Sequence, residues 1–190
     1  MYLYHYFDKD IGPFKNISEL SERDAENVMK RLAKQKGQAF CNKRNSDYWK
    51  MRKYYEQILR KEFQKKGGKI ERLVPQYMVV EECKFLESWY ENSASIKIDI
   101  KDFDINTLSF TYGDSHPTFS DRVNDGKEYR KKLYTYEEIL EIIKKYGYPQ
   151  EWNKDGTYGP ERYIEVHVWS DETLNPYYKY ENIDIFDSVK

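Results

Sequence analysis

Three histidines, two cysteines and a late Glu-x-His pair are the side chains of this 190-residue chain whose types and spacing bear on chemistry. His5 lies in the opening stretch MYLYHYF. Strand alternation there puts Tyr2, Tyr4 and Tyr6 on one face and Leu3, His5 and Phe7 on the other. An imidazole on that more apolar face needs a hydrogen-bond partner or a pocket beside it. Glu165 and His167, two apart on a late strand, project the same way, so a carboxylate and an imidazole can address one ligand. The same spacing also serves a cross-strand ion pair on a half-solvated face. Asp114 and His116 sit in the segment GDSHP, but with no HxH or HExxH spacing a metal site is not expected. Cys41 and Cys83 form no CxxC and no disulfide framework; both read as reduced thiols, Cys83 as core packing. No GxSxG, phosphate-cradling glycine loop or paired-carboxylate motif occurs.

The elements that must position these residues follow from periodicity. Ser21 and Asp24 resemble a capping box, and Ala25, Val28, Met29 and Leu32 follow helical spacing up to Gly37. A second helix, capped at Asn45 or Ser46 and running to Gly67-Gly68, carries the stripe Tyr48, Met51, Tyr55, Ile58, Leu59 and Phe63. Lys50, Arg52, Lys53, Arg60, Lys61, Lys65 and Lys66 are assigned to its outer face. Val74–Val80 reads as a strand that Pro75 confines to its start or to an edge, and Glu82–Glu91 as a short helix. Ser95–Ile100 turns Ile96, Ile98 and Ile100 inward, and Leu108, Phe110 and Tyr112 continue as another strand. Residues 113–127 read as a long polar loop and Tyr129–Tyr134 as a strand. Thr135 and Glu138 cap a helix bearing Ile139, Ile142, Ile143 and Tyr146, stopped at Gly147 and Pro149. In the last strand, Glu161–Trp169, Ile164, Val166 and Val168 oppose Tyr163, Glu165, His167 and Trp169.

Without a βαβ rhythm, these elements predict an α+β fold: one domain over 1–169 with a mixed or antiparallel sheet, helices concentrated in the N-terminal half, and an acidic tail over 170–190. Hydrophobic content of 39% is low, but 19 Tyr, 9 Phe and 4 Trp supply large rigid rings for a core. No apolar run approaches the ~18 residues of a membrane span, and no signal-peptide core opens the chain, so a cytoplasmic protein is expected. Net charge is −1, yet residues 1–75 hold 18 Lys and Arg against 10 Asp and Glu, whereas 76–190 hold 14 against 23. The basic half can pack against the acidic half, or it can offer a cationic face to phosphates.

The order of residues resembles the His–Tyr–Glu class of the ADP-ribosyltransferase-like fold. The resemblance rests on LYHY in the first strand, the polar-aromatic strand PQYMVV, and a glutamate in a late strand. It implies that His5 and Tyr77 bind NAD. It implies that Glu165, or alternatively Glu161, supports chemistry at the nicotinamide ribose. NAD would then be a substrate of a transferase or glycohydrolase. Independently of the resemblance, Tyr163, His167 and Trp169 share the strand face of Glu165, a polar-aromatic surface suited to a sugar or ring, which makes His167 a ligand-contact candidate. The chain as a whole also resembles a family of small bacterial proteins. The competing class is a non-enzymatic interaction protein that uses the basic helix 46–66 to meet nucleic acid or a protein partner.

Overall fold

Five short, β-branched and aromatic segments pair in the order β3-β1-β2-β5-β4, every named neighbour antiparallel. They are β1 (Tyr2–Asp8), β2 (Gln76–Val80), β3 (Ser93–Asp99), β4 (Leu108–Tyr112) and β5 (Ile164–Val168). The computed structural model describes residues 1–34 and 47–178, so Gly37, Cys41, Asn45, Ser46 and residues 179–190 lie outside the described residues. The α+β class holds, and the sheet is antiparallel rather than mixed. The two longest helices, α1 (Glu22–Lys34) and α2 (Tyr48–Lys65), both fall in the first half. No helix among the described residues is long and apolar enough to cross a membrane.

The sheet separates two environments. On one face Leu3, Met78, Phe110, Ile164, Val166 and Val168 form the main core, where the three β5 residues are fully buried. Each such side chain contributes roughly 1.5–3 kcal/mol of burial free energy. The helix α5 (Tyr136–Tyr146) closes this face with Ile139, and its Thr135–Glu138 capping box forms as the sequence implies. The helix ends where Gly147 takes a positive φ of 73°. The opposite face carries Tyr77, Ser109, Glu165, His167 and Trp169. There α2 packs Leu59 and Phe63 against Trp169, whose ring lies 6.1 Å from that of Phe63. β5 is therefore buried on both sides, which is why its polar residues need internal partners.

Several local expectations change. Tyr129–Tyr134 is a turn, not a strand. Lys131 takes a left-handed φ of 56° and donates its N–H to Thr118, while Tyr134 alone bridges to Phe110. The buried side chains of this turn go to separate clusters, Tyr129 and Tyr134 to the main core and Leu133 to the Trp169 cluster. The helix expected over Glu82–Glu91 contracts to one turn, α3 (Lys84–Glu87). The loop 113–127 holds a turn of helix, α4 (Ser115–Phe119), because the Asp114 side chain accepts the His116 N–H at its start. The acidic segment 170–190 is, through Tyr178, part of the body. Leu174 is fully buried, Asp171 pairs with Arg72, and the Tyr178 ring meets Phe14 edge-on.

The inward face of α2 is also different. Its buried residues are Trp49, Glu56, Leu59 and Phe63. Arg52 turns in to pair with Glu56, and Arg60 donates to the Arg72 and Leu73 carbonyls. Of the remaining outward lysines, Lys65 pairs with Glu62 and Lys66 with Glu138. The basic helix thus presents far fewer unpaired cations than its composition implies.

Candidate functional site

A cleft of about 1630 Å³ is lined by residues of β1, β2 and β5 and bounded by α1, α2, α3 and α4. His5, Tyr77 and Glu165 all line it, so the sheet brings three distant sequence positions to one concavity. Their individual circumstances differ sharply.

Glu165 is held from behind. The Trp169 Nε1–H donates to Ser109 Oγ at 2.9 Å, so the Ser109 hydroxyl proton is directed to His167 Nδ1 at 3.1 Å. His167 therefore carries its proton on Nε2 and donates it to Glu165 Oε1 at 2.9 Å, where the Ser115 backbone N–H also donates. This chain is fully internal: Ser109, His167 and Trp169 have no exposed surface. Ser109 is consequently no nucleophile, despite its contact with a histidine. His167 is not among the residues that line the cleft; it bonds Glu165 from behind.

His5 is used by the fold. β1 and β2 pair only at Leu3–Val80 and Tyr4–Val79. Beyond that point the imidazole takes over: Nδ1 donates to the Tyr77 carbonyl at 2.8 Å, and Nε2 accepts the Phe14 N–H at 2.9 Å. The Phe14 ring stacks on it with centroids 4.1 Å apart. Burial, reinforced by the Arg52 charge and opposed by the Tyr77 carbonyl bond, lowers the His5 pKa to about 4. His5 is a neutral seam between two strands, with neither ring nitrogen left for a ligand.

Tyr77 is similarly engaged. Its hydroxyl donates to Glu56 Oε1 at 3.0 Å, and the same oxygen accepts Ser18 Oγ–H and Arg52 Nε–H. The Arg52 guanidinium lies 4.1 Å from the Tyr77 ring centroid, and His167 meets that ring edge-on. Burial outweighs the Arg52 charge and pushes the phenol well above its ordinary range.

Asp114 completes the corner. Its Oδ1 accepts the His116 N–H at 2.7 Å and its Oδ2 accepts the Tyr163 hydroxyl at 2.9 Å. Burial first, and then the charge of Glu165, raise its pKa. Sequence reasoning weighed Asp114 only as a metal ligand, not as a second carboxyl beside Glu165; the Asp-Ser-His-Pro helix start was the available signal. No group of three or more metal-ligating side chains occurs among the described residues. Glu161, the alternative acid, is fully buried in ion pairs with Lys127 and Arg130, outside the cleft lining. Cys83 is a buried free thiol whose pKa burial raises, as inert packing requires.

These features define a class of arrangement, a cleft in an antiparallel α+β domain with two neighbouring carboxyls at one corner. Comparison with protein-family models, curated proteins and solved structures finds no match to the chain, so the functional reading stands on this geometry.

Proposed function

We propose that the cleft binds a nucleotide-class ligand and that Glu165 faces the glycosidic carbon of its ribose. The observation that carries this reading is the fixed carboxylate. Glu165 Oε1 is anchored by His167 and the Ser115 N–H, and the residue borders an open, aromatic-rich cleft. A positioned carboxylate stabilises positive charge that develops at C1′ as the glycosidic bond loosens. Trp89 and Tyr4 on the lining suit a stacked ring, and Lys15 and Arg31 suit phosphates. NAD offers rings, a diphosphate and a cationic ribosyl-nicotinamide end, and is the first ligand to try.

His5 and Tyr77 enter this reading as wall and frame. His5 bridges β1 to β2 through the Tyr77 carbonyl, and Tyr77 ties the wall to α2 through Glu56. NAD or ADP-ribose at about 100 times its dissociation constant adds roughly 2.7 kcal/mol to native stability, which raises the melting temperature by several degrees. Glu165→Gln should retain that rise and lose turnover, because charge at the reacting carbon matters most in the transition state. An unchanged melt with NAD, ADP-ribose and AMP alike would defeat the reading.

A further inference from the structure

We propose that Asp114 is a second catalytic residue of this cleft, a proton donor beside the Glu165 carboxylate, and that the substrate is therefore a nucleoside or nucleotide whose base departs with a proton. This rests on the reading of the cleft given above and narrows its substrate class.

The two carboxyls are neighbours by construction. Asp114 starts α4, and the next backbone N–H, that of Ser115, donates to Glu165 Oε1 at 3.1 Å. Both side chains line the cleft. Their surroundings divide the roles. Glu165 is anchored by two donors on Oε1, which fixes its carboxyl in place. The groups that face Asp114 are Glu165 and Tyr163 from the β5 side and His116 on its own helix; from α2, the Tyr55 ring lies against His116. With a carboxylate beside it and burial around it, Asp114 holds its proton to higher pH than an ordinary aspartate. A protonated carboxyl still accepts from the His116 N–H and the Tyr163 hydroxyl while its own O–H donates.

The step balances as follows. The C1′–N bond of the ribose breaks, its electron pair goes to the departing base, and the base takes the Asp114 proton. Glu165 stabilises the cationic carbon. Water then forms the new C1′–O bond and returns a proton to the Asp114 carboxylate, so nucleotide plus water yields free base plus ribose phosphate. A purine needs that proton to leave. Nicotinamide leaves NAD as a neutral ring without one, so NAD isolates the contribution of Asp114.

The experiment measures adenine release from AMP and nicotinamide release from NAD by the full chain and by Asp114→Asn. The asparagine keeps an acceptor for the His116 N–H; Asp114→Ser, which also caps a helix start, serves as a second variant, and melting curves confirm folding. Asp114→Asn should lower adenine release by about 100-fold or more, as loss of general-acid catalysis does. Nicotinamide release should fall by a clearly smaller factor, because that leaving group needs no proton even though the attacking water still releases one. Adenine release by the unaltered chain should fall as pH rises through the Asp114 titration, and that alkaline decline should vanish in the variant. Equal loss on both substrates, loss on neither, or a ligand that raises the melting temperature without any release of base would overturn the proposal while leaving the binding reading intact. Absence of any melting shift would overturn the binding reading itself.

Discussion

His5 and Glu165 border the same cleft, yet one is closed and the other open. Both ring nitrogens of His5 bond the protein backbone, and Phe14 covers its face. Glu165 has one oxygen anchored by two donors, while no hydrogen bond among the described residues engages Oε2. The difference separates a residue that joins the strands from one that leaves a carboxylate oxygen unengaged at the cleft. A histidine in an aromatic strand attracts attention as a site, but its partners decide its role.

The comparison is broken most directly at His5. His5→Ala removes a stacked ring and leaves the Phe14 N–H and the Tyr77 carbonyl without partners. The expected loss is about 3 kcal/mol in denaturant unfolding, from a cavity plus unsatisfied buried groups. A loss under about 1 kcal/mol would make His5 dispensable to the seam and return it to the list of ligand contacts.

Acid provides a milder form of the same test. His5 titrates near 6.5 when unfolded and at about 4 in the fold, so the unfolded chain binds the extra proton between those values. The contribution of His5 is fully present above pH 6.5 and is lost as pH falls toward 4, up to roughly 3 kcal/mol for a group with no other change. Urea midpoints collected from pH 7 to pH 4 should fall along this window, and His5→Ala should flatten the slope.

Ser109→Ala acts behind the open residue. It strands the Trp169 N–H and frees His167 to take the other tautomer, which costs about 1–2 kcal/mol. Ligand response should weaken as well, because Glu165 loses its fixed donor; unaltered titration by calorimetry would show that the buried chain is only structural. The smallest stability effect belongs to Glu165→Gln, below about 1 kcal/mol, since the amide oxygen can still accept from Ser115 and His167. A large drop in melting temperature there would turn Glu165 into a structural residue like His5.

Much of this arrangement was legible in the chain. The aliphatic face of β5, the inward isoleucines of β3 and the Thr135–Glu138 cap follow from local periodicity and backbone hydrogen bonding. The shared side of Glu165 and His167 follows from the strand repeat of two. The assignment of α2's cations failed for a physical reason. Helical spacing ranks residues by polarity and so places Arg52 and Arg60 outward, whereas a buried Glu56 and two open carbonyls make the inward orientation favourable. Glu56 was missed on the same ground.

The sequence by itself determined the α+β class, the strand faces and the gathering of polar aromatic residues on one side of β5, because these depend on neighbours two to four residues apart. The tertiary structure alone decided that His5 closes a seam, that His167 is sealed behind Glu165, that Glu161 is tied to Lys127 and Arg130, and that Asp114 stands beside Glu165 in the cleft. Each of those outcomes turns on hydrogen bonds and charges brought together from distant segments, and burial makes such contacts decisive because water no longer substitutes for a missing partner.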